Sequence, residues 1–451
     1  MRTLQTSASN HTTFRQRRLV CALLITLALL VPLRNPFAAS ATNAPVESTV
    51  VLDPAGAPFL QGTFQVVSND QANETSLHVD CDIASYTYNE LGTADIHYQN
   101  LSTGVDNVVP GNHLDILSDI SGSRIAFVEV SNSGDFIRVF DTISHAQTVI
   151  PGFEKNLPSI GGNLVAFEDR SAAFGIPAIV TYDLNSGTIT QLTNDSLSNV
   201  FPQVSPNGDA VVWNKCQFTG CDIYAAIQTS PGAFTTRALT TGKREEPFAS
   251  ATNGELAVYV SNRSGEKDIY YQPLTGGTEI HLSIPGDQRF PTISGDFITF
   301  ESAVEIGADI FVYDIRTEKL YRVTNDQVDH HFADISVCNG VGRIVYRTES
   351  NGGLDAYAFT FQVPSVIEEQ IDVVITEIGN FNLPPGTANS LVTKLQTALA
   401  AIEAGDAATA CSSLTGFINE CRAQSGKKLT PGQSTQLITS ANQIKTDLGC
   451  P

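Results

Sequence analysis

One phrase recurs along this chain, and its spacing limits the fold more than any other feature. An apolar-aromatic run leads to a polar tip with Gly, Asn or Ser, then to Asp-Ile-aromatic and a second strand. The second half reads ADIHYQNL (94–101), DFIRVFDT (135–142), PAIVTYDL (177–184), CDIYAAIQ (221–228), KDIYYQPL (267–274), ADIFVYDI (308–315) and LDAYAFTF (354–361). Measured at Ile96, Ile137, Ile179, Ile223, Ile269, Ile310 and Ala356, the steps are 41, 42, 44, 46, 41 and 46 residues. The first half reads SGSRIAFVEV, GGNLVAFED, PNGDAVVWN, TNGELAVYV, SGDFITFES and GVGRIVYRT, each a turn signal followed by β-branched and aromatic residues. Steps of about 40–45 residues with two to four short strands each are those of propeller blades. A long β-sandwich, the rival, does not repeat its sequence so regularly. The expected fold is therefore mainly β: a seven-bladed β-propeller over 59–363, followed by a small all-α helical bundle over 364–451.

The ends of the array suggest how the ring closes. LYRVTNDQVDHHFADISV (320–337) and TFQVVSNDQANETSLHVD (63–80) share a strand, a TND or SND turn, a gap and a second strand. The seventh unit lacks an outermost strand after Phe361, and Phe64–Ser68 is an orphan before the first unit. The expectation is that 64–68 supplies the missing strand, which leaves only short, protected edges.

The phrases FPQVSPNGDAVVWN…DIY (201–224) and RFPTISGDFITFES…ADIFVYDI…RVTND (289–326) resemble the TolB-type, WD-like propeller repeat. The resemblance covers roughly residues 59–363 and implies the fold. For function it implies less, because such rings serve as protein-binding platforms, as domains of peptidases and lyases, and as surface proteins. Seven units instead of six, and no α/β domain ahead of the ring, depart from TolB itself and from a role in the Tol envelope complex.

Residues 1–41 carry five arginines and no acid around the apolar run Leu19–Leu33. That run is too short for a hydrocarbon core of about 30 Å. With Ala39-Ser40-Ala41 behind it, the segment reads as a signal peptide cleaved after Ala41, with an uncleaved anchor as the rival. Residues 42–58 read as a linker. The formal charge of -21 loses five positive charges with the leader, leaving the mature chain at -26. Such an acidic chain without a basic patch is not expected to bind nucleic acid. No stable membrane span is expected after cleavage, and the protein is expected to be secreted or periplasmic.

After Pro364 the apolar period changes from two to about 3.6. Val366–Ile378 reads as a helix, Leu383-Pro384-Pro385-Gly386 as a break, and 391–405 as the next helix. Asp406 caps a third, 407–424, and Thr430 with Pro431 starts a fourth. This tail, through FINE…AQSGKKLT and the final LGC, resembles a C-terminal helical module recurrent in secreted bacterial proteins, which implies compartment and no chemistry. Three disulfides are expected. Cys216 and Cys221 flank QFTG at a hairpin tip, where a zinc site would need a second ligand pair that the sequence does not supply. Cys81 and Cys338 follow the inner strands of the first and seventh units, and Cys411 and Cys450 lie at one end of two antiparallel helices. Cys421 is left over.

No G-x-S-x-G elbow, H-E-x-x-H, P-loop or dinucleotide fingerprint occurs. One constellation carries possible chemistry: His78 on the first inner strand with His330 and His331 on the last, near Asp80, Asp329 and Asp334. Imidazoles and carboxylates gathered at one channel mouth could hold a divalent metal; the competing reading is polar blade-top side chains. The expected function is an exported, non-catalytic scaffold without a cofactor, gripping a protein or envelope partner on a propeller face. The alternative is a metal-assisted lyase or hydrolase acting on an extracellular polysaccharide or peptide in the channel.

Overall fold

The computed structural model describes residues 47–450 apart from 71, 91, 112, 172–174, 219, 243–244, 306, 351–352 and 364. The signal-peptide reading of 1–41 lies outside the described residues. Two strands precede the repeats, β1 (Glu47–Val51) and β2 (Thr63–Ser68). The first unit is β3 (Asn73–Asp80), β4 (Ile83–Glu90), β5 (Thr93–Asn100) and β6 (Val105–Val108). The second is β7 (Leu114–Ser121), β8 (Arg124–Ser131), β9 (Gly134–Asp141) and β10 (Gln147–Val149). The third is β11 (Lys155–Gly161), β12 (Leu164–Asp169), β13 (Ala178–Asp183) and β14 (Ile189–Gln191). Next come β15 (Ser198–Val204), β16 (Ala210–Gln217), β17 (Gly220–Ser230) and β18 (Ala233–Ala238). The fifth unit is β19 (Glu245–Thr252), β20 (Leu256–Ser261), β21 (Asp268–Pro273) and β22 (Glu279–Ser283). The sixth is β23 (Gln288–Ser294), β24 (Phe297–Glu305), β25 (Gly307–Asp314) and β26 (Lys319–Arg322). The last has β27 (His330–Cys338), β28 (Val341–Ser350) and β29 (Gly353–Gln362).

Within each unit the strands pair antiparallel in chain order, as short turn-linked strands must. The outermost partner of β29 is β2, antiparallel from Thr63↔Thr360 to Ser68↔Ala356, in the place where 64–68 was expected to close the ring. Inner strands neighbour one another in sequence from β3 through β7, β11, β15, β19, β23 and β27, and β27 returns to β3. Each middle strand is thus covered on both faces. The stretch RIAFV of β8 is apolar and buried almost throughout after its first residue, because no face of it meets water. The cores lie between consecutive units: Ile137, Val139 and Ile150 of the second pack on Val165, Phe167 and Val180 of the third.

The stretch read as a linker is partly sheet. β1 pairs parallel with β22 from Glu47↔Glu279 to Val51↔Ser283, adding a fifth strand to the fifth unit. Farther along, Leu60 N–H donates to Arg322 O (2.9 Å) and Arg322 N–H to Pro58 O (2.9 Å), on the sixth unit. Residues 47–68 therefore run as a strap along the outer edges of three consecutive units. A free edge satisfies its backbone by adding a strand, and the ESTVV pattern is too short to announce one.

Four helices follow among the described residues: α1 (Val366–Asn380), α2 (Pro385–Glu403), α3 (Ala407–Gln424) and α4 (Pro431–Asp447). The second helix, expected from 391, begins six residues earlier and takes in Pro385 and Gly386 of the expected break at 383–386. Pro385 opens α2, because a first-turn proline lacks only an N–H that the helix leaves unpaired anyway. Ser365 with Glu368 and Thr430 with Gln433 form capping boxes, and Asp406 accepts from Thr409 N–H. Ile371, Leu395, Phe417, Leu437 and Ile444 fill the bundle core. The Tyr321 hydroxyl, on β26, donates to Glu369 Oε1 (3.2 Å), joining bundle and sheet. None of these helices is long and apolar enough to cross a membrane.

Candidate functional site

Every inner strand for which the geometry is described carries a bulge, marked by a residue in the left-handed region. These are Ser76, Leu117, Leu157, Phe201, Phe290 and Phe332, with φ between 47 and 57°. For non-glycine residues this backbone costs about 1–2 kcal/mol each. The extra residue bends the strand and resets which side chains face the ring axis. Two residues beyond each bulge stand His78, Asp119, Ser159, Gln203, Thr292 and Asp334. They line a channel whose two ends, cavities of about 180 and 320 Å³, share His78, Gln203, Ala251, Thr292 and Asp334.

Most of the channel's polar groups are engaged in holding neighbouring strands. Asp334 Oδ2 accepts from Val79 N–H (2.9 Å) and Asp119 Oδ2 from Ile160 N–H (2.8 Å). Asp80 Oδ2 accepts from Gly122 N–H (2.6 Å), and Ser159 Oγ accepts from Val204 N–H (3.0 Å). At the seam where β27 meets β3, Ser336 Oγ accepts from Cys81 N–H (2.9 Å) and the Cys81–Cys338 cystine bonds the strands covalently. His78 Nδ1 lies 3.5 Å from both Asp119 Oδ1 and Asp334 Oδ2. Burial opposes the imidazolium, but the two carboxylates outweigh it and hold the His78 pKa up at about 9.

The wider end of the channel is apolar. Leu117, Leu157, Phe201, Phe290 and Phe332 line it together with Pro158, Pro202 and Pro291. The Phe290 and Phe332 rings lie 4.3 Å apart, and the Arg347 guanidinium sits 4.3 Å over Phe332. Sequence reasoning missed this mouth. Its signal was the repeated apolar-Pro pair in NLPSI, VFPQV and RFPTI, which places a large side chain at the bulge of three inner strands.

Of the histidines singled out from sequence, only His78 faces the channel. His330 is buried, its Nε2 2.9 Å from Asp326 Oδ1 and its Nδ1 3.0 Å from Thr348 Oγ1. His331 Nδ1 meets Glu301 Oε2 at 3.1 Å, and that bond raises its pKa. The expected gathering of His78, His330 and His331 is therefore corrected. Neighbours on a strand point to opposite faces, and the bulge at Phe332 brings Asp334 to the channel instead. Asp329, also expected nearby, accepts from Ala308 N–H (2.9 Å). Among the described residues, one group of metal-ligand types comes together: Asp80, Cys81 and Cys338. Both sulfurs belong to the cystine, so neither is a thiolate able to ligate. The other cystines join Cys216 to Cys221 and Cys411 to Cys450, and Cys421 is free and buried, which pushes its thiol up to about 12.

No family model matches this chain, and no curated protein matches it in sequence. Solved structures do. An oligogalacturonate lyase in complex with manganese superposes with a TM-score of 0.52 at 12% identity, over 68% of this chain and 94% of its own. The β-propeller domain of the Trilobed protease from Pyrococcus furiosus, described as having an open velcro topology, gives 0.50 at 13%, over 66% of this chain and 96% of its own. The acylaminoacyl peptidase of Pyrococcus horikoshii gives 0.50 at 13%, over 65% of this chain. This chain spans about half the length of that peptidase, 52%. At such identities the likeness is one of fold: the chain contains a β-propeller, followed by helices.

Proposed function

We propose that this protein is an exported, seven-bladed propeller of TolB-type repeats that serves as a non-catalytic binding scaffold, holding a protein or envelope partner over the apolar mouth of its channel. The observation that carries this reading is how the channel polar groups are used. Asp80, Asp119 and Asp334 accept backbone N–H groups of adjacent strands, so they hold the ring together and are not arrayed around a substrate. A rigid ring with an aromatic, arginine-flanked opening suits recognition. Three cystines fit an oxidising compartment. The test is capture from envelope extract with the wild-type chain and with Phe290→Ser/Phe332→Ser. The reading expects a discrete partner that the variant loses; equal capture by both overturns it.

The second reading, a metal-assisted lyase or hydrolase, draws on the manganese-bound lyase of similar fold and on His78 standing between two carboxylates. A ligand imidazole must lose its proton, and the two carboxylates raise the His78 pKa, so metal binding there would release a proton and strengthen with rising pH. Metal analysis of the purified protein, with His78→Ala beside it, separates the two: stoichiometric metal lost in the variant favours the lyase.

A further inference from the structure

Four residues before His78, Asp119, Ser159, Gln203, Thr292 and Asp334, the inner strand carries a polar side chain, giving an internal comparison across six units. In five of these units that side chain has a hydrogen-bond partner. Glu74 accepts from Ser68 Oγ (2.9 Å), Lys155 Nζ donates to Asp169 (2.9 Å), and Asn199 Oδ1 accepts from Trp213 Nε1 (3.1 Å). Gln288 Nε2 donates to Gly286 O (2.7 Å), and His330 meets Asp326 (2.9 Å). Glu74 and Gln288 each leave one buried atom unpaired, but Asp115 in the second unit makes no side-chain hydrogen bond at all among the described residues. It is 2% exposed, and its Oδ1 is enclosed with no hydrogen-bond partner among the described residues.

The cross-strand neighbour of Asp115 is Glu129, another acid. The Arg138 guanidinium closes its fork on Glu129 alone, Nε to Oε2 at 2.6 Å and Nη2 to Oε1 at 3.0 Å. One cation thus serves two buried acids, and the one left without a counter-charge is Asp115. A cavity of about 370 Å³ opens beside it, lined also by Gly111, His113 and Gln147. A Cβ at position 111 would lie 2.5 Å from Asp115 Oδ2, so the glycine is what leaves that oxygen uncovered toward the cavity. Gln147 Nε2 is bonded to Pro110 O (2.7 Å), while its Oε1 has only a long contact of 3.5 Å from Arg138.

We propose that this cavity binds a primary ammonium group, with Asp115 as the counter-ion and Gln147 Oε1 as a second acceptor. A divalent cation fits less well, since Arg138 occupies both oxygens of Glu129 and leaves too few oxygens for a coordination shell. An anion would meet an acid that has no counter-charge. An ammonium needs one carboxylate and one or two neutral acceptors, and these are what the cavity offers. The site lies between β7, β8, β9 and β10, apart from the channel, and does not depend on what the channel does.

The test is calorimetric titration of the full chain with n-propylammonium and with Nα-acetyl-lysine amide, using n-propanol as the uncharged control. Saturable one-to-one binding of an amine but not of the alcohol is expected, weakened at least tenfold in Asp115→Asn and in Gly111→Ala and unchanged in Glu90→Gln. The glycine variant closes the site without altering a charge, and thermal midpoints check that each variant folds. Equal affinity for both probes points to a free small amine; preference for the lysine amide points to a lysine side chain of a polypeptide. No saturable binding to the wild-type chain, or binding that both site variants leave intact, overturns the proposal and makes Asp115 simply a buried, protonated acid.

Discussion

Removing the Cys81–Cys338 cystine tests whether ring closure governs the stability of this protein. The bond joins residues 257 apart, whereas Cys411–Cys450 spans 39 and Cys216–Cys221 only 5. A cross-link stabilises mainly by restricting the unfolded chain, and the chain-entropy relation gives about 5.5, 3.9 and 2.1 kcal/mol for these loops at 25 °C. The seam keeps other ties when the cystine is absent: the Val79–Asp334 and Cys81–Ser336 backbone bonds, the Arg343–Asp82 ion pair and the β2–β29 ladder. The folded structure should therefore survive in Cys81→Ala/Cys338→Ala while the unfolded chain gains freedom. Alanine is the right replacement at 81, because φ is 49° there and glycine would relieve strain and mask part of the loss. Urea unfolding should show a midpoint lowered far more than in Cys216→Ala/Cys221→Ala, with a steeper slope as the unfolded state expands. An equal or smaller loss from the ring pair would refute the reasoning, because the seam would then be held by packing alone.

Asp334→Ala should cost about 2–4 kcal/mol in thermal unfolding, since it strands the Val79 N–H and removes one of the two carboxylates facing His78. Burial raises Asp115 and Glu74 to about 7, from ordinary values of 3.8 and 4.5. The folded state thus binds these protons more tightly than the unfolded chain; their stabilising contribution is full below the ordinary values and is lost as pH rises through about 7. Asp115→Asn should flatten that decline in a series of melts from pH 4 to pH 8. Gly161→Ala would put a Cβ 1.9 Å from the Ser205 carbonyl oxygen, and a loss of roughly 2 kcal/mol or more in urea unfolding is expected. A chain beginning at Gln61 loses β1 and the buried Leu60, and should melt lower by about 3 kcal/mol with its near-ultraviolet circular dichroism kept.

Much of the architecture was legible because it rests on local patterns. Turn glycines, alternating strands and steps of 41 to 46 residues are visible without any knowledge of contacts, and the similarity of 63–80 to 320–337 pointed to the strand that now pairs with β29. The cysteine pairs followed from placing each Cys within a unit or helix. The candidate site was harder to see. His330 and His331 looked like partners of His78, yet one extra residue at the Phe332 bulge exchanges the faces of the strand, and no composition signal reports a bulge. The strap at 47–60 was hidden for a related reason: five residues pairing with an edge more than two hundred positions away leave no periodic trace.

The sequence by itself determined the unit, its repetition, the change to helices after residue 364 and the positions available for cystines, since each depends on neighbours along the chain. Tertiary structure alone decided which polar side chains were satisfied. Asp115 and Glu74 occupy the same place in successive units and read alike, but Ser68 of the closing strand reaches one oxygen of Glu74, whereas Arg138 turns to Glu129 and leaves Asp115 with no hydrogen bond at the edge of a cavity. Whether a buried carboxylate is paired depends on angstrom-scale distances between strands that only the closed ring brings together, and here those distances separate a structural acid from a candidate binding site.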